Sequence, residues 1–216
     1  MPAVLTDLPG LLAQWEEHRR RYRPATYCLV LCGSGDLDGR VFDHVRSNRR
    51  MLSDMAGLYC SATLLAEPDH SAPPDVTEVA GRQHYLHETD AWQAGATGVY
   101  DLAHRLDLPL QHLPLFLICF DPWHSAESVI LPISAMLTAA GKDEADVGGV
   151  VTTAFAVLGT VSRRASRRTD PRGRQHLVRE EMAALLPQDK RGFAERLGIR
   201  EMIAPAVEGV IKGFMN

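Results

Sequence analysis

No Cys-x-x-Cys pair occurs anywhere in the chain, so the dithiol that disulfide exchange needs is missing. The four cysteines, Cys28, Cys32, Cys60 and Cys119, each lie inside an apolar run, at spacings that match no usual zinc pattern. A reduced cysteine in such surroundings is a small buried hydrophobe, and a reducing cytoplasm is the expected location. Long apolar runs are scarce too. The longest uncharged stretch, 147–162, is shorter than the roughly 20 residues of a bilayer span, and Gly and Thr dilute it. A buried helix is expected there. The N-terminal MPAVLTDLPG lacks a basic segment followed by an apolar one, so no secretory leader is read. There is no excess of positive charge: the formal net charge of −4 gives no global attraction to nucleic acid or anionic membrane.

The 216 residues include 45% hydrophobic and 23% charged side chains, enough apolar material for a core without metal or disulfide staples. Residues 7–22 read as an amphipathic helix, with Leu8, Leu11, Leu12, Trp15 and Tyr22 inward and Glu16, Glu17, Arg19 and Arg20 outward. Arg23-Pro24 stops it. The apolar run 26–32 predicts a strand buried on both faces. The turn 33–39 leads into a helix over 40–56, with Asp38 as its N-cap, and a second buried strand over 58–66. Strand, helix, strand at this spacing predicts a parallel βαβ unit.

Residues 67–96 read as an insertion, with a short helix around 76–88. A helix at 98–107, a strong strand at 115–120 and a hairpin partner at 127–133 follow. Helices are expected at about 134–140, 144–161, 174–186, 190–197 and 199–215. The four strands should share one mixed sheet, the first three parallel or nearly central and the last antiparallel to 115–120. The expected organisation is an α/β domain over 1–140 and a helical C-terminal extension over 141–216.

This order of elements, with YDLAHRLDLPLQHLPLFLICF (100–120) placing Leu113-Pro114 just before a central strand, resembles the thioredoxin fold. The likeness covers roughly 26–140. It implies a mixed sheet flanked by helices and a cis-proline at Pro114 beside the site. Where thioredoxins carry their two cysteines, this chain has Cys32-Gly33-Ser34-Gly35. In that respect it is similar to the non-redox thioredoxin-like domains of uncharacterised bacterial signalling and conflict-system proteins, where the fold serves as a binding platform.

The residues open several chemistries. Cys32, at a strand end before a helix, is the candidate for a single-cysteine thiol enzyme, with Pro114 adjacent. Gly33, Ser34, Gly35 and Arg40 are the candidate anion site, although Arg40 stands eight residues after Cys32, and Asp36 and Asp38 would repel a phosphate. A loose dinucleotide-type turn over Gly33, Gly35 and Gly39, with Glu67 ending the next strand, makes a nucleotide or phosphorylated small molecule the alternative ligand. In the cluster His84, His87, Glu88 and Asp90, a helix would put His84, His87 and Glu88 on one face with metal-like geometry, but no matching third ligand is found elsewhere, and neither metal nor cofactor is expected. Arg163, Arg164, Arg167, Arg168, Arg172 and Arg174, with Arg179 just beyond, form the clearest charge asymmetry and the candidate contact for an acidic partner or a phosphate-bearing ligand. No aromatic is interleaved among them, so nucleic acid is not the expected partner. The expected function is a non-catalytic interaction module, an adaptor or effector-associated subunit, binding a protein partner or a second copy of itself through apolar C-terminal helices.

Overall fold

The computed structural model describes residues 8–66, 86–90, 99–105, 108–120 and 128–186. The elements in order are helix α1 (Leu8–Tyr22), strand β1 (Thr26–Cys32), helices α2 (Asp36–Ser47) and α3 (Arg49–Ala56), strands β2 (Cys60–Ala66) and β3 (Leu86–Asp90), helix α4 (Val99–Arg105), strands β4 (Leu115–Cys119) and β5 (Ser128–Pro132), and helices α5 (Ile133–Ala140), α6 (Val147–Ser166) and α7 (Pro171–Ala183). The expected helices at 190–197 and 199–215 lie outside the described residues.

The five strands form one sheet in the order β3-β2-β1-β4-β5. β1 is parallel to β2 in register Thr26–Cys60 through Cys32–Ala66, and antiparallel to β4 in register Tyr27–Cys119 through Leu31–Leu115. The class is α/β with a mixed sheet, and the 115–119 strand lies beside 26–32 as expected. It runs antiparallel to it, however, because the chain re-enters at the end of the sheet where β1 finishes. A strand that starts there can only run back.

Three element boundaries differ from expectation for local reasons. The helix read over 40–56 is two helices, broken at Asn48, whose side-chain amide bonds back to the His44 carbonyl at 2.9 Å. It also starts earlier: Gly35 is the N-cap, and Asp38, expected in that role, sits at the third helical position. Around 76–88 a helix was expected, but the described part, Leu86–Asp90, is an edge strand parallel to β2. A strand has period two, so the helical face expected to gather His87 and Glu88 does not form. His84 lies outside the described residues.

The sheet has two covered faces. Cys28, Val30 and Cys32 of β1 face a core built with α2, α3, α5, α6 and α7. Tyr27, Leu29 and Leu31 face the other way, against Trp15 of α1 and Val99, Leu102 and Ala103 of α4. The 141–216 segment, as far as it is described, enters the first of these cores. α6 buries Val147, Val150, Val151, Ala154, Phe155, Leu158 and Val161 there, and Phe155 meets Phe116 edge-on at 5.5 Å. It is the one helix among the described residues long and apolar enough to cross a membrane by length and composition. Its apolar stripe is spent on this core instead.

α6 lies so close to the end of α3 that Gly159 has no room for a side chain: a Cβ there would be driven into the Met55 carbonyl. Gly149, on the same helix, has nothing within 4 Å of such an atom. Gly159→Ala is therefore expected to destabilise the fold by roughly 1–3 kcal/mol through overpacking, and Gly149→Ala to stabilise it by about 0.5–1 kcal/mol through helix propensity. Urea denaturation of the two variants checks both signs.

Candidate functional site

The C-terminal end of β1 is where an α/β sheet places its ligands, and it is where the fold brings Cys32, Gly33, Ser34, Gly35 and Pro114 together. Cys32 pairs with Ala66 of β2 on one side. One step beyond the Leu31–Leu115 pair of the antiparallel ladder, it stands opposite Pro114. The Leu113–Pro114 bond is cis, and Pro114 is buried. Cys32 and Pro114 are thus neighbours, as the thiol reading required. The thiol itself is closed off: Cys32 is 0% exposed. Burial pushes it well above its ordinary range, and the adjacent Asp38 carboxyl raises it further. A nucleophilic cysteine needs the reverse, an accessible thiolate stabilised by positive surroundings. The other three thiols are buried as well, with Cys60 and Cys119 pushed up to about 12 by burial.

The glycine-rich loop that follows is filled from within the chain. Asp38, one turn into α2, turns its carboxyl back beneath the loop. Its Oδ1 accepts from the Gly33 N–H at 2.5 Å and its Oδ2 from the Gly35 N–H at 3.2 Å. The second contact is half of a capping box, an acid at the third helical position reaching the N-cap amide. Ser34 between them donates its N–H to the Tyr100 hydroxyl at 2.8 Å, and the two hydroxyls meet at 2.7 Å. Tyr100 lies so near that a Cβ on Gly33 would come within 2.8 Å of its oxygen, which explains a glycine there without any ligand. Three successive amides that would cradle a phosphate are spent on a carboxyl and a phenol. Arg40 is exposed on α2, beyond this cluster, with no described contact to the loop.

Among the described residues no group of three or more His, Cys, Asp or Glu is placed to hold a metal ion. The arginine segment lies toward the other end of β1, where Ser162 meets Thr26, and spans the last turn of α6, the turn that follows and the start of α7. Arg163, Arg164, Arg167, Arg168 and Arg172 are exposed. Arg164 pairs with Glu181, and Arg168 reaches the Gly173 carbonyl at 3.4 Å. Arg174 is half-buried and folds back to the Thr169 carbonyl at 3.4 Å, which ties it to the turn. The helix start is capped internally by Asp170, which accepts from Arg172 and Gly173 amides.

Two buried polar contacts escaped the sequence reading. His18 Nδ1 meets Ser61 Oγ at 2.7 Å beneath α1, and Thr26 Oγ1 meets Ser162 Oγ at 2.6 Å where α6 crosses the start of β1. A histidine and a serine at that distance suggest a catalytic pair, but Ser61 is 1% exposed and His18 8%. The contact pins α1 to the sheet. His18 was legible: it stands three residues after Trp15, on the inner stripe of α1.

The chain matches no family model, no curated protein and no solved structure.

Burial holds the His18 imidazole below its ordinary 6.5, with Glu17 opposing and Arg21 assisting; burial acts on His44 in the same direction. The unfolded chain therefore binds protons that the native chain refuses. The stability from keeping these rings neutral is complete above the unfolded value and is lost as pH falls through the depressed native ones. The denaturation midpoint is expected to drop between about pH 7 and pH 5, and His18→Gln to flatten that dependence. An unchanged slope in His18→Gln contradicts this assignment.

Proposed function

We propose that this chain is a non-catalytic, thioredoxin-like interaction module that binds a protein partner. The observation that carries the reading is the state of the strand-end loop: its amides are satisfied by Asp38 and Tyr100 and its only thiol is fully buried. A site prepared for chemistry keeps donors open and a nucleophile reachable. The thioredoxin-like reading draws support from the β2-β1-β4-β5 part of the strand order, with its parallel first pair and antiparallel second half, and from the position of cis Leu113–Pro114 beside the β1 end.

A cytoplasmic adaptor or effector-associated subunit, of the kind found in bacterial signalling and conflict systems, fits these features. Self-association into a homodimer remains part of the proposal. The nucleotide-sensor alternative would require the Gly33–Gly35 amides to exchange an internal carboxyl for a phosphate. The thiol-enzyme alternative would require Cys32 to become exposed.

The test combines thiol chemistry with partner capture. Under native conditions all four cysteines should react with an aromatic disulfide reagent far more slowly than in the denatured chain. Insulin reduction should be absent, and Cys32→Ser should leave capture of a stoichiometric host protein unchanged. Turnover that vanishes in Cys32→Ser overturns the reading.

A further inference from the structure

β1 begins where two helices finish. α1 ends four residues before Thr26, and α6 arrives at the same point, because Ser162 Oγ is hydrogen-bonded to Thr26 Oγ1. Three residues of chain, at most about 3.5 Å each, separate Arg23 from Thr26, which keeps it near the end of the sheet where Arg163 and Arg167 leave α6. The turn between α3 and β2 completes this end. The Tyr59 carbonyl accepts from the Ala25 and Thr26 amides at 2.7 and 3.2 Å. Leu58 is 55% exposed and Tyr59 40%.

Sequence order separates these groups: Arg20 and Arg23, with Tyr22 between them, stand far along the chain from Arg163 and Arg167. Folding sets one exposed tyrosine and one exposed leucine beside both. The other end of α6 carries the opposite charge, with Asp143, Glu144 and Asp146 all exposed. Among the described residues, exposed arginines therefore gather where α6 ends and exposed acids where it begins.

We propose that this end of the sheet docks an acidic protein segment that also carries an apolar side chain. The proposal rests on the interaction-module reading and gives it a surface and a partner chemistry. Arginine forks can hold carboxylates bidentately, and arginines of this surface already make single contacts to carboxylates, Arg20 Nε to Glu16 at 3.0 Å and Arg164 to Glu181. Leu58 and Tyr59 supply the apolar centre that a purely electrostatic contact lacks. Arginine and tyrosine are enriched at protein–protein surfaces; Lys142, the one lysine among the described residues, sits at the acidic end before α6.

The probe is a fluorescein-labelled peptide alternating glutamate and leucine, read by fluorescence anisotropy against the full chain. A labelled single-stranded oligothymidylate and phosphatidylserine vesicles serve as competing classes. Saturable peptide binding that weakens with salt is expected. Arg163→Glu with Arg167→Glu should weaken it at least about tenfold, as should Tyr59→Ala, by about tenfold. Arg23→Asn, which keeps a residue suited to the positive φ of 52° there, should also weaken it. These side chains are exposed, and unchanged melting shows that each variant folds.

No peptide binding overturns the proposal, as does binding indifferent to all these variants. Tighter binding of the oligonucleotide or the vesicles, lost in the same variants, assigns the surface to another class of partner and overturns it equally. If a host protein is still retained in any of those cases, the interaction-module reading survives alone.

Discussion

Everything in this fold hangs on β1 being buried on both faces and paired along both edges. All seven of its residues are buried, with β2 on one edge and β4 on the other. A strand in that position needs cover above and below, and the alternation of its side chains divides the molecule. Cys28, Val30 and Cys32 demand the α2–α3–α6–α7 layer, while Tyr27, Leu29 and Leu31 demand α1 and α4. The close approach of Gly159 to α3 and the Thr26–Ser162 bond are consequences of drawing a long helix onto that surface.

The same burial decides the chemistry at the strand's end. Cys32 belongs to the buried alternation and not to the loop after it, so its thiol faces the core. The loop then has to satisfy its own amides while turning into α2, and Asp38 does so from the third helical position with Tyr100 closing from α4. An arrangement that resembles a phosphate cradle in sequence is closed by the chain's own oxygen atoms. What remains accessible is surface, and the strongest asymmetry on it is charge, with arginines where the helices end and acids where α6 begins.

Much of this was legible from local pattern. The apolar runs 26–32 and 115–120, the buried α6 and the position of Pro114 follow from hydrophobic periodicity and turn chemistry. Less legible were features set by contacts far apart in sequence. Asp38 looked like an N-cap because an acid before an apolar stripe usually is one, yet the Gly35-to-Asp38 spacing already held the capping-box signal. Residues 86–90 carry the polar composition of a helix face, and only pairing with β2 makes them a strand. Nothing in sequence order places Tyr100 over Ser34, or Arg23 beside the end of α6.

The most direct test of the central claim, that the strand-end loop is closed by the chain itself, is an amide nitrogen–proton spectrum of the native protein titrated with ATP and with inorganic phosphate. The account predicts that the Gly33, Ser34 and Gly35 resonances stay in place and that these amides exchange slowly with solvent. Saturable movement of those three resonances with either ligand would show an open anion site and contradict it.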